Sequence, residues 1–200
     1  MNEIEAFNQA LFLKINANAA TPVWEINAAI FIAEYLIYLM PLILLYMWLW
    51  GDQARRNLAI KACLVAMIAL GANQLIGLAW QHPRPFVIGL GHDYLQHAPD
   101  SSFPSDHATV FAGITLTLLF ARARRLGSVT LLLGTCVAWA RVFLGIHFPL
   151  DMLGAVVVAS VVWTGVSPVW HRGGAMCTQL AERLYRKVMA RPIAMGWTRR

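Results

Sequence analysis

The segment Arg141-Val-Phe-Leu-Gly-Ile-His147-Phe-Pro-Leu-Asp151 places a guanidinium, an imidazole and a carboxylate within eleven residues, at the junction of two apolar stretches. Ionisable side chains are costly at membrane depth and mark functional sites there by default. Two further clusters lie upstream, Gln81-His82-Pro83-Arg84-Pro85 and Ser102-Phe103-Pro104-Ser105-Asp106-His107. Arg84, Arg141, His107, His147, Ser105, Asp106 and Asp151 are the groups needed to catch a phosphate and break its ester or anhydride bond.

Each group has a physical reason to be there. A guanidinium presents a planar fork that matches two phosphate oxygens, and the prolines on either side of Arg84 fix the backbone that carries it. Ser105 or Asp106 is placed to cap a helix. A helix N-terminus offers free N–H groups and a favourable dipole to an anion, and His107 falls in that first turn. Pro149 suits the first turn of the next helix, which puts Asp151 in that turn and His147 just ahead of it. A carboxylate bonded to one ring nitrogen orients the other toward substrate. Singly, the clusters have plainer readings: an arginine meeting lipid headgroups, a cap with an incidental histidine, a structural His–Asp pair. Their combination on one side of a membrane favours chemistry.

The chain that must position them has 200 residues, 58% hydrophobic and 13% charged, with a mean hydropathy of +0.56. A soluble domain is roughly 45–50% apolar and about 25% charged. The expected fold class is therefore all-α: one integral membrane helical bundle. A span needs about 20 mainly apolar residues. Five stretches qualify, near residues 23–50, 57–80, 105–121, 126–144 and 149–170, the third of them short. Residues 1–22 read as an amphipathic interfacial helix, with Ile4, Phe7, Ala10, Leu11, Leu13 and Ile15 at near-helical spacing. Residues 171–200 read as a basic cytoplasmic tail, partly helical around 177–190. No cleavable signal is expected, because the N-terminus opens with Glu3 and Glu5. Cys63, Cys136 and Cys177 have neither paired nor metal-type spacing, so no metal or other cofactor is expected.

Charge sets the orientation. Arg55, Arg56 and Lys61, then Arg122, Arg124 and Arg125, then seven residues of the tail place 13 of the 16 basic residues on one side. By the positive-inside rule that side is cytoplasmic, the C-terminus is inside, and all three clusters face outward. The net charge of +6 then reflects topology and anionic lipid, not nucleic acid.

Arg84-Pro85, then Pro104-Ser105-Asp106-His107, then Arg141-x5-His147-x3-Asp151 resembles the three-part signature of the type 2 phosphatidic acid phosphatase superfamily, over about residues 73–155. With Asn73-Gln74-Leu75-Ile76-Gly77 and His82-Pro83-Arg84-Pro85-Phe86, the chain looks most like the bacterial BcrC-type undecaprenyl-diphosphate phosphatases. That resemblance implies a metal-independent enzyme of the bacterial inner membrane, active on its periplasmic side. Its substrate would be a polyprenyl diphosphate, hydrolysed through a phosphohistidine so that the cell-wall carrier lipid is recycled. It also implies roles. His147 would be the nucleophile, Asp151 its orienting carboxylate and His107 the general acid, while Arg84, Arg141 and Ser105 would hold phosphoryl oxygens.

Three departures stand out. Gly77 occupies the place of the family's first-motif lysine, Asp106 that of a glycine, and Ala140 that of a serine. Gln81 or His82 is the candidate replacement for the lysine, and Asp106 is expected to sit beside His107 and favour its protonated form. His82 or His92 is the candidate to hold a second phosphate. His92 and His97 otherwise read as solvated loop residues, Asn73 and Gln74 as either packing glue or groove lining, and Glu34 as a deep carboxylate of unknown partner. Competing readings are a phosphatidylglycerophosphate phosphatase or a lipid A phosphotransferase of the same superfamily, and, outside enzymes, a small transporter. Against the last, the chain has no inverted repeat.

Overall fold

A computed structural model describes residues 3–199, and every regular element among them is helical. The chain begins with α1 (Glu3–Ile15). Next, α2 (Val23–Tyr35) and α3 (Leu39–Trp50) are joined by a 3-10 turn at Leu36–Tyr38. These two form one apolar run of 28 residues. Then come α4 (Gln53–Ala79), α5 (Asp106–Phe120), α6 (Arg124–Phe143), α7 (Pro149–Val188) and the short α8 (Ala190–Ala194). Four helical runs are long and apolar enough to cross a membrane. The fifth expected span is α5, which has 15 residues. It rises about 22 Å, short of the roughly 30 Å hydrocarbon core.

Burial explains why so short a helix suffices. α5 packs against α4, α6 and α7 at once. Phe111, Ile114 and Leu118 of α5 meet Ala62 and Ala66 of α4 and Val137 of α6 in the main apolar cluster. Ala59, Ala62, Ala66 and Ala69 recur at intervals of three and four along α4 and are all buried. Small residues at that spacing let helix backbones approach closely, which is the main packing device available in lipid.

α7 departs from the expected boundary near residue 170. It runs unbroken through Pro168 for 40 residues, about 60 Å or twice the hydrocarbon thickness. Its far half is held on the start of α4. Asn57 Nδ2 donates to Thr178 Oγ1 at 2.8 Å, and buried Arg56 pairs with Glu182 at 3.4 Å. Arg56 Nη2 also donates to the Arg199 carbonyl at 2.7 Å, which folds the C-terminal segment back onto the bundle. Arg200, counted with the basic tail, lies outside the described residues, as do Met1 and Asn2. Lys61 is not in a loop as its position suggests. It lies inside α4 and donates to Ser167 Oγ at 2.9 Å.

α1 lies across the end of the bundle where the α6–α7 turn emerges. Phe12 is fully buried and meets Phe148 edge-on, with ring centroids 5.4 Å apart. Asn8 Oδ1 accepts the Leu150 N–H at 3.1 Å, satisfying one of the orphan donors of α7. Asn16 Nδ2 donates to the carbonyls of Phe143 and His92. Ile4, Phe7 and Leu13 stay exposed.

Candidate active site

The α6–α7 turn carries the central pair. Phe148 is the N-cap of α7 and Pro149 its first residue. The Asp151 carboxylate, one turn in, folds back to accept the Phe148 N–H at 2.8 Å. That fixes Oδ2 beside the ring of His147, whose Nδ1 lies 3.2 Å away. The network assigns the proton to Nδ1 and leaves Nε2 with its lone pair. Arg84 Nη1 stands 3.1 Å from that lone pair and donates to it. His147 is 2% and Asp151 1% exposed. Burial first, then the Arg141 and Arg84 guanidiniums, hold His147 well below the ordinary histidine range, so the ring is neutral. Gly145 makes the turn possible. Its φ is +90° and a Cβ there would stand 2.1 Å from the His92 carbonyl oxygen, a position only glycine fills without strain.

Opposite this pair, a cavity of about 680 Å³ is walled by Arg84, His107, Arg141 and His147, with Gly77, Gln81 and His82 on the same wall. His107, in the first turn of α5, has Nε2 3.5 Å from Arg141 Nη1. Arg141 is buried, and its Nε has no partner among the described atoms. Ser105 is the N-cap residue of α5, but its side chain makes no cap bond. Its buried Oγ is also unpartnered, and it stands behind the cavity wall, where its N–H donates to the Asp151 carbonyl at 3.3 Å. Thus two buried donor groups from different motifs are left unsatisfied around one site, a costly arrangement for groups with no ligand.

Some expected placements differ. Asp106 is turned to α4, where Asn73 Nδ2 donates to it at 2.8 Å and Gln74 Nε2 at 3.2 Å. The amide donors of α4 claim it, not His107. This makes Asn73 and Gln74 both interhelical glue and cavity wall. His82 Nε2 is spent on Glu5 of α1 at 3.2 Å. His92 is exposed and stacks on Tyr94, away from the cavity. Glu34 is exposed on α2, and its charge reaches Arg141.

The loop ahead of α5 supplies three more residues: Asp100, which the sequence reading passes over, Ser102, which it names in the second cluster without a role, and His97, which reads as a solvated loop residue but lines the cavity. Ser102 Oγ donates to Asp151 Oδ2 at 2.5 Å and is 3.4 Å from His147 Nδ1. Asp100 Oδ1 lies 2.8 Å from both Nε and Nη2 of Arg84. His97 reaches the cavity wall, its ring centroid 6.4 Å from that of His147. The only sequence signal for them is adjacency: Asp100-Ser101-Ser102 runs directly into the second cluster.

Two arginines and two histidines thus stand around one cavity of a helical bundle, one histidine backed by a carboxylate, a donor set whose chemistry suits an oxyanion. Residues 58–174 match the model of the PAP2 superfamily, and the chain belongs to that family. It is 39% identical over 196 residues to the Escherichia coli K12 protein named "Putative undecaprenyl-diphosphatase YbjG", covering 98% of this chain and 99% of that one. It is also 39% identical over 133 residues to the undecaprenyl-diphosphatase BcrC of Bacillus subtilis, covering 66% and 68% of the two chains. Among solved structures, the fold matches Aquifex aeolicus LpxE with a TM-score of 0.63 at 20% identity, over 79% of this chain and 93% of that one. It matches a transmembrane PAP2-type phosphatidylglycerolphosphate phosphatase of Bacillus subtilis with a TM-score of 0.62 at 18% identity, over 86% and 88%.

Proposed function

We propose that this protein hydrolyses undecaprenyl diphosphate to undecaprenyl phosphate and inorganic phosphate. The observation that carries the mechanism is the His147 ring, held by Asp151 and Ser102 on Nδ1 and facing Arg84 with Nε2. The names of the relatives support the substrate, one of them matched over 98% of this chain and 99% of its own length and the other over 66% and 68%.

The Nε2 lone pair attacks the terminal phosphorus. The bond from that phosphorus to the bridging oxygen breaks, and its electron pair leaves with the lipid phosphate. His107 gives its proton to the leaving oxygen and is left neutral. Arg84 exchanges its bond to Nε2 for a phosphoryl oxygen, and Arg141 offers its free Nε. Such transfers depend on positioning and on charge stabilisation more than on covalent chemistry by the protein. Asp151 stabilises the positive charge on the phosphorylated ring. Water, deprotonated by His107, then attacks the phosphohistidine, the P–N bond breaks, and phosphate leaves. Ser105 supports the turn from behind through its backbone and offers its unpartnered hydroxyl.

The protein acts in the bacterial inner membrane with the cavity on the outer face and the C-terminus inside. The support is the basic residues at the other end of the bundle, at the starts of α4 and α6, in the turn between α5 and α6 and in the far half of α7. Residues 1–22 serve as an interfacial strap, residues 23–170 as the catalytic bundle and residues 171–200 as a basic cytoplasmic extension. Initial rates on undecaprenyl diphosphate and on phosphatidylglycerophosphate, measured on purified protein with a chelator present, test the reading. Faster turnover of phosphatidylglycerophosphate overturns it.

A further inference from the structure

A diphosphate presents two charged groups, and the machinery above accounts for one. Among the described residues, Arg84 and Arg141 are the only lysine or arginine side chains on the cavity wall, and the family's lysine is replaced by Gly77. Arg84 is also committed: Asp100 takes Nε and Nη2, and the Ile146 carbonyl and His147 share Nη1. The group one bridging oxygen farther out needs its own partner.

Three histidines outside the catalytic pair lie on this side of the molecule, and the geometry separates them. His82 lies on the wall with a buried, unpartnered Nδ1, but its Nε2 stands 3.2 Å from the Glu5 carboxylate, whose negative charge disfavours a second anion there, and His92 is off the cavity wall. His97 is on the wall, its ring at 68° to that of His147 and 6.4 Å from it. Its Nδ1 donates to the Ala98 carbonyl at 3.0 Å. That bond fixes the tautomer and leaves Nε2 as the nitrogen open to a ligand. Asp100 Oδ1, 3.6 Å from Nδ1, ties the same short loop to Arg84.

We infer that His97 forms a second anion subsite, which grips the lipid-side phosphate of a diphosphate substrate and gives the site its preference for diphosphates over monophosphates. The inference rests on the phosphatase reading. In the free protein, burial above all, with Arg84 and Arg141, keeps His97 below the usual histidine value, while the Ala98 carbonyl and Asp100 pull the other way. An anion that neutralises the two arginines removes part of that cost, so the ring gains charge as the diphosphate arrives.

The test compares kcat/KM on a polyprenyl diphosphate and on the monophosphate of the same lipid for wild type, His97→Gln and His97→Lys. Inorganic pyrophosphate and inorganic phosphate serve as competing inhibitors. The diphosphate-to-monophosphate ratio should fall about tenfold in His97→Gln, equal to ~1.4 kcal/mol, and return in His97→Lys. The inhibition constant for pyrophosphate should rise more than that for phosphate. A misfolded His97→Gln protein would lose both activities and leave the ratio unmeasured, so the wild-type and His97→Lys inhibition constants stand as the second measurement. Pyrophosphate that binds wild type no better than phosphate overturns the subsite, as does an unchanged ratio in His97→Gln. A wild-type protein that releases no phosphate from the diphosphate lipid instead defeats the functional reading itself.

Discussion

Ser102 Oγ donates to Asp151 Oδ2 at 2.5 Å, and both side chains are buried, at 0% and 1% exposure. The same oxygen accepts from His147 and from the Phe148 backbone. Three donors from two separate segments therefore converge on one carboxylate oxygen and fix where the His147 ring points. Ser102→Ala should lower kcat about 10–100-fold, the cost of one hydrogen bond to a charged group, with little change in KM. Steady-state kinetics check it; an unchanged kcat would mean that Phe148 and the helix turn alone hold Asp151.

His147→Ala should abolish turnover, and His107→Ala should cost about 10²–10⁴-fold, the usual loss for a general acid or base. Asp151→Asn should fall between wild type and His147→Ala, because the amide misorients the ring without deleting it. Acid-labile, base-stable phosphate label on the protein should appear in a rapid quench of wild type and be missing from His147→Ala.

No group of three or more His, Cys, Asp or Glu among the described residues is placed to hold a metal ion. Activity should persist in EDTA, and vanadate, which resembles the five-coordinate phosphorus of the transfer, should inhibit. Loss of activity in EDTA that returns with a divalent cation would rule out the arginine-based account of charge stabilisation.

The pH dependence follows from His147. Its ionisation is held well below 6.5 in the fold by burial and by Arg141 and Arg84. The unfolded chain then binds a proton near 6.5 that the folded chain does not. The contribution to stability is fully present above that pH and declines as the pH drops below it. Between pH 7.5 and pH 5 the melting temperature in detergent should therefore drop more in wild type than in His147→Ala. An equal slope in both proteins would place the titration elsewhere.

The three candidate clusters are legible in the sequence because each is a contiguous run of polar residues beside an apolar stretch. His147 and Asp151 meet only four residues apart in the chain, whereas the Arg84 side chain is held by Asp100 and the Ile146 carbonyl, 16 and 62 residues away. Asp100, Ser102 and His97 are not legible, because their partners lie 16, 49 and 50 residues away in the chain (Arg84, Asp151 and His147), and only the folded loop brings them together. Asp106 misleads for a related reason: adjacency to His107 in the chain says nothing of the α4 amides that claim it. The continuation of α7 past residue 170 is also hidden. The apolar pattern ends there, but polar Asn57, Arg56 and Glu182 supply the packing that keeps the helix whole.

Orientation is open to direct chemistry. In a protein whose three native cysteines are replaced, a cysteine at position 93 should react with a membrane-impermeant maleimide applied outside intact cells, and one at position 124 should not. Asp93 lies in the loop that packs on the α6–α7 turn, and Arg124 opens α6 at the opposite end of the bundle. The reverse pattern would put the cavity on the inner face.

Gly145 tests whether the turn's geometry, and not just its residues, makes the site. Its φ of +90° lies where a side chain is strained, and a Cβ would meet the backbone of His92, which cannot yield as a flexible side chain would. The His92 segment is itself pinned, its N–H donating to Asn16 Oδ1 at 2.7 Å. Gly145→Ala should therefore cost about 1–3 kcal/mol from the backbone conformation alone, with more from the clash. Because His147 is two residues away, the displaced turn should also lower kcat, while Gly89→Ala should leave kcat near wild type. Gly89 has a similar φ of +67° but open space around it. Melting temperature and kcat measured on both variants separate the two effects. A Gly145→Ala protein as active and as stable as Gly89→Ala would show that the turn can relax without moving the nucleophile.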